Sequence, residues 1–123
     1  MPEITEAALA NFYGTAHYHR HWTGKLLMTD GVHYLVENGA SWLVDAIASY
    51  QGTEALNTRQ LQEFQLWELG VSEGKAVLTC RVDTGMPPAV YQEIEFTDFP
   101  LPYLKLYVEP SEHGPVLLLP SEH

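Results

Sequence analysis

Between residues 30 and 51 apolar side chains recur every third or fourth position, and from residue 63 onward they recur every second one. The first spacing is that of one face of an α-helix and the second that of one face of a β-strand, so the chain has to join a helical part to a sheet. In "TDGVHYLVENG", Thr29 or Asp30 supplies a helix N-cap, Val32, Leu35 and Val36 form the apolar stripe, and Asn38-Gly39 ends it. "SWLVDAIASYQG" repeats the logic, with Ser41 as N-cap, Trp42, Leu43, Ala46, Ile47 and Tyr50 on one face, and Gly52 as the stop. The break between them is short, and we read two helices meeting at a bend rather than one kinked helix. A shorter leading helix is predicted in "EITEAALANF" from Glu3, with Ile4, Ala8 and Leu9 inward. The helices are thus predicted over residues 3–11, 30–38 and 41–51.

Strands are predicted over 63–71, 75–83, 89–98, 103–109 and 115–119, punctuated by "SEG", "TGMPP" and "PLP". Short links between consecutive strands argue for an antiparallel meander. The predicted fold is a single α+β domain, 1–123, with a helical N-terminal half packed on one face of a four- to five-stranded antiparallel sheet. Ala76, Leu78, Cys80, Val82, Val90, Ile94, Phe96, Leu104, Leu106 and Val108 should lie under the helices. Tyr91, Tyr103 and Tyr107 fall on the reverse face, a candidate interaction or dimer surface because tyrosine adds contact area at low entropic cost.

Sixteen acids against six bases give a net charge of −10, and the bases never cluster, so binding to a phosphate backbone is not expected. A single cysteine, Cys80, leaves no intramolecular disulfide and suits a reducing cytoplasm. The acidic start "MPEITEAALANF" does not read as a secretory signal, and no stretch has the ~18 apolar residues of a membrane span. No nucleotide-binding glycine motif and no "G-x-S-x-G" elbow occurs.

The most unusual composition is in "GTAHYHRHW", where His17, His19 and His21 alternate. On an extended backbone the three imidazoles would share a face, which is the spacing of a zinc or other divalent metal site; the alternative is local composition without a ligand. Arg20, His21 and Trp22 form a second candidate, either a ligand pocket or a buried ion pair with Trp22 anchored in the core. Asp30, His33 and Glu37 recur along one polar stripe of the first long helix. Cys80, inward on a strand, reads as an inert small hydrophobe.

The blocks "FYGTAHYHRHW", "MTDGVHYL", "WLVDAIASYQ", "EFQLWEL", "TDFPLPYLKLYVE" and "VLLLPSEH" fall in one order that resembles a family of small bacterial proteins of unknown function. The resemblance runs from Phe12 to the C-terminus and implies no activity, cofactor or partner, so no functional residue is carried over. The family's opening block resembles F-x-G-T-x-x-Y-x-R-H-W, matched here at Phe12, Gly14, Thr15, Tyr18, Arg20, His21 and Trp22. Positions 17 and 19 are not histidine in that pattern, which marks the triple array as a property of this chain.

The function expected from the sequence is a small cytoplasmic binding or interaction module rather than an enzyme, self-associating through a sheet edge or the tyrosine face. Two alternatives belong to other classes: a metal-dependent hydrolase using His17, His19 and His21, and an acidic inhibitor that mimics nucleic acid.

Overall fold

The computed structural model describes residues 4–123. Helix α1 (Glu6–Ala10) is capped by Thr5, whose hydroxyl accepts from the Ala8 N–H at 3.0 Å. Ile4 and Leu9 are buried, whereas Ala8 is only half-buried; the expected start at Glu3 lies outside the described residues. The chain then makes two short strands, β1 (His19–Arg20) and β2 (Leu27–Met28), joined through a turn in which Gly24 takes φ +76°. That left-handed conformation is the reason for glycine there.

Helix α2 (Asp30–Leu35) starts at Thr29, which supplies the cap, and α3 (Ser41–Tyr50) follows. Between them Val36–Ala40 makes one wide turn in which Asn38 and Gly39 leave helical dihedrals, Gly39 at φ 103°. Two helices therefore meet at a bend. Ser41 does not cap α3: it is already helical, and Ala40 sits at the cap with no side-chain hydrogen bond. The sequence reading also missed α4 (Arg59–Glu63), a single turn capped by Thr58. Its apolar content is one buried leucine, Leu61, too little to make a periodic signal.

The strands β3 (Gln65–Ser72), β4 (Lys75–Arg81), β5 (Val90–Ile94), β6 (Tyr103–Glu109) and β7 (Val116–Leu118) complete one seven-stranded sheet, in the order β1-β2-β7-β6-β3-β4-β5. The sheet is mixed rather than antiparallel, because β2 runs parallel to β7. It is not a meander either. Strand β6 pairs with β3, not with its predecessor β5. The link between them crosses the end of the β3–β4 hairpin, where Thr97 N–H donates to Gly74 C=O at 2.7 Å and Val71 N–H to Pro102 C=O at 2.9 Å. Pro100 and Pro102 cannot donate to a ladder, and buried Phe99 anchors the crossing. The expectation of a helical N-terminal half on four or five antiparallel strands is corrected accordingly: residues 12–29 are mostly irregular, and β1 and β2 extend the sheet.

Strand alternation places Trp67, Leu69, Ala76, Leu78, Cys80, Leu104, Leu106 and Val108 in the core, with Val32, Leu35, Leu43, Val44 and Ile47 from the helices. Phe96 departs from the predicted inner set: β5 ends at Ile94, alternation is lost, and the ring is 81% exposed. Burial pushes the Cys80 thiol up to about 12, in keeping with an inert core residue. No helix among the described residues is long and apolar enough to cross a membrane.

Candidate ligand-binding cleft

Three segments converge where the N-terminal chain leaves the sheet. Strand β1 and its turn bring His19, Arg20, His21 and Trp22; α2 brings His33; and the start of α3 brings Ser41 and Asp45. With Met28 and Val36 these residues line a cleft of about 440 Å³.

His21 is 3% exposed, and both of its ring nitrogens are occupied. The Thr23 N–H donates to Nδ1 at 3.2 Å, so the ring proton sits on Nε2, which donates to Asp45 Oδ1 at 2.7 Å. The Thr23 hydroxyl lies 2.8 Å from Nδ1 as well. A ring so satisfied acts as a strut between the β1–β2 turn and α3. The same Asp45 oxygen accepts from Trp22 Nε1 at 2.9 Å. Trp22 is nevertheless 79% exposed, so it does not anchor the segment in the core as the sequence suggested. Its indole is tethered at the nitrogen, meets the His21 ring at a tilt with centroids 5.5 Å apart, and is otherwise open. Arg20 is exposed and pairs with no carboxylate among the described residues, which removes the buried ion pair as a reading.

The polar stripe of α2 does not stand alone. His33 Nδ1 lies 3.0 Å from Glu37, His19 Nε2 lies 2.9 Å from Asp30, and the two imidazoles stack at 4.0 Å with their planes 5° apart. Spacing could pair His33 with Glu37, but only the fold stacks His19 on His33. Asp30 also accepts from the Ala16 N–H at 2.9 Å, and its own N–H donates to Thr15 Oγ1 at 2.9 Å. The His19 hydrogen bond, followed by the backbone bond from Ala16, holds the Asp30 carboxyl down at about 2. Its contribution to stability is therefore complete above the ordinary value of 3.8 and is lost as pH falls through about 2. Stability measured against pH should fall less steeply between pH 4 and 2 in Asp30→Asn than in the parent chain; equal slopes would refute the assignment.

His17 points to solvent, while His19 and His21 are held by different carboxylates. Among the described residues no group of three or more His, Cys, Asp or Glu is placed to hold a metal ion. The stacked pair is also unsuited to sharing one, because imidazole lone pairs lie in the ring planes and here the planes are parallel.

The three tyrosines do not form one patch. In a meander Tyr91 would neighbour β6; in the actual order β3 and β4 lie between, roughly 14 Å from one strand to the other. Tyr103 donates to Glu68 at 2.6 Å, and burial first, then Glu68, pushes its phenol up to about 12. Tyr107 packs on Phe64 and His123. Tyr91 is exposed and has no such partner among the described residues.

Another concavity, of about 410 Å³, lies beside β6 and is lined by Lys25, Gln62, Val108 and Glu109. Its amides Gln51 and Gln65 are committed to each other, at 2.9 and 3.0 Å, which leaves less chemistry free than in the histidine cleft.

A crystal structure of a protein of unknown function from Enterococcus faecalis is similar to this chain, with a TM-score of 0.53 and 18% identity over 87% of this chain and 98% of that one. At that identity the likeness concerns the fold. No curated protein matches the chain. A family model described as "Family of unknown function" matches residues 3–123, in agreement with the resemblance carried by the sequence blocks. The chain belongs to that family, DUF6876.

Proposed function

We propose that this protein is a small-molecule binding module and that the histidine cleft is its site. The observation that carries the reading is the state of Trp22: an indole 79% exposed yet held in place by the Asp45 carboxylate, at the mouth of a concave surface. An exposed aromatic face costs hydration free energy, and a tethered one loses little further entropy when a planar ligand stacks on it. Two groups that a reaction could use are already occupied: the buried imidazole of His21 has both nitrogens engaged, and the Cys80 thiol is buried and pushed up to about 12. His19 and His33 each keep one ring nitrogen free among the described residues, and in this reading they are polar groups on the cleft wall. Binding in the cytoplasm, as the single cysteine suggests, is part of the same reading.

The test is a fragment titration followed by the indole N–H resonances of the three tryptophans. Planar aromatic fragments of mixed charge should shift the Trp22 signal saturably and leave that of Trp67, which is fully buried, in place. Trp22→Ala, which removes that resonance and is therefore followed by calorimetry, should weaken any hit roughly tenfold or more, the scale of one aromatic stacking contact. A fragment set that leaves the Trp22 resonance unmoved sinks the reading.

A further inference from the structure

We propose that the cleft selects a planar aromatic ring bearing an oxyanion, a carboxylate or a phosphate, with Trp22 stacking the ring and Arg20 binding the anion. The inference rests on the ligand-site reading above and adds the charge class.

It follows from which polar groups in the cleft are already used. Asp45 Oδ1 takes two donors, at 2.7 and 2.9 Å, from His21 and Trp22. Asp30 and Glu37 face His19 and His33, at 2.9 and 3.0 Å. Each carboxylate near the cleft thus already faces at least one of the protein's own donors. The Arg20 guanidinium is uncommitted among the described residues, as are the Ser41 hydroxyl, one ring nitrogen each of His19 and His33, and the second oxygen of Asp45. A guanidinium has five N–H donors and no acceptor, in a planar fork that fits two oxygens of a carboxylate or phosphate side by side. Arg20 directly precedes His21 and Trp22, so the buried His21 strut fixes the backbone from which both the fork and the indole extend. The stacked imidazoles of His19 and His33, 4.0 Å apart, add a flat wall to the same cleft.

The net charge of −10 opposes an anion at a distance. At physiological salt that field is screened over roughly 8 Å, and at contact the nearest uncommitted charge decides. The competing chemistry is a cation seated on the indole, with the remaining oxygen of Asp45 as its counter-charge.

Three probes of similar size but different chemistry separate these outcomes: 2-naphthoate, 2-naphthylmethylammonium and decahydro-2-naphthoate, each titrated against the full chain and read at the Trp22 indole. Naphthoate is expected to bind at least tenfold tighter than either of the others. Arg20→Gln, a change at an exposed side chain, should weaken naphthoate about tenfold and leave neutral 2-naphthalenemethanol unchanged. Arg20→Lys should restore only part of the loss, because an ammonium lacks the fork. Equal or tighter binding of the ammonium probe overturns the oxyanion assignment while leaving the cleft a ligand site. Naphthoate binding that is indifferent to Arg20→Gln overturns it too. If no naphthyl probe moves Trp22, the ligand-site reading itself falls, and this inference with it.

Discussion

Glu122→Ala should lower the free energy of unfolding by about 2–3 kcal/mol, although the residue is next to last in the chain. Its carboxylate accepts from the Thr29 hydroxyl at 2.6 Å, the Gly31 N–H at 3.1 Å and the Leu119 N–H at 3.2 Å. The first two belong to the start of α2, so a side chain from the far end of the sequence holds the capping Thr29 hydroxyl and satisfies the Gly31 N–H, a donor that the helix cannot pair itself. It also places negative charge where the helix dipole favours it. Hydrogen bonds to a charged group contribute about 1.5–3 kcal/mol each, and water takes over part of the loss at this half-buried site. Glu122→Gln keeps an acceptor oxygen and should cost less than alanine. The neighbouring pair, exposed His123 with half-buried Glu109 at 2.6 Å, sets the scale for a contact near the surface: Glu109→Ala should cost under about 1 kcal/mol. Urea unfolding reads all three variants, as midpoint shifts at unchanged slope. A Glu122→Ala loss no larger than that of Glu109→Ala would refute the account.

The packing around Gly31 agrees with it. A Cβ there would meet Leu119 Cδ1 at 2.5 Å and Glu122 Oε1 at 2.6 Å, so α2 approaches the C-terminal turn as closely as a glycine allows.

Gln65→Leu should cost about 2–4 kcal/mol, despite replacing a buried polar side chain by an apolar one of similar size. Gln65 and Gln51 exchange amide hydrogen bonds at 2.9 and 3.0 Å, and Gln65 Oε1 also accepts from Trp67 Nε1 at 2.8 Å. Leucine would strand the Trp67 N–H in a fully buried position and leave the Gln51 amide short of partners. Each orphaned group costs about 1–3 kcal/mol, and the added apolar burial offsets only part of that. The double variant Gln65→Leu/Trp67→Phe isolates the cause. If the stranded indole N–H dominates, Trp67→Phe should cost less in the Gln65→Leu background than in the parent, with a coupling of about 1 kcal/mol or more. Additive losses would assign the effect to packing instead.

The local grammar of the chain was legible where it rests on neighbours in sequence. Strand β6 is read as 103–109 from its alternation alone and found at Tyr103–Glu109. The bend between α2 and α3 follows from Asn38-Gly39, because glycine reaches φ 103° without a steric penalty. Strands β1 and β2 were not legible, since two residues each carry no period; they exist because Leu27 and Met28 pair with Val116 and Leu117 of β7. The tetrapeptide "PSEH" occurs at 110–113 and 120–123, and only the fold distinguishes the copies: the second supplies Glu122 to α2 and His123 to Glu109.

The candidate site divides the same way. The motif Arg20-His21-Trp22 gave Trp22 the wrong setting, because an aromatic ring in a sequence is equally a core anchor or an open face. Only the partner decides, and here it is Asp45, on helix α3. His19 and His33 sit in separate motifs, and no spacing rule predicts that their rings stack. By itself the sequence determined the change from helix to strand, the apolar faces and the turn residues, which follow from backbone dihedrals and side-chain period over a few positions. Tertiary structure alone decided the strand order, the parallel β2–β7 pairing and the convergence of β1, α2 and α3 on one cleft, because these depend on which distant surfaces bury one another.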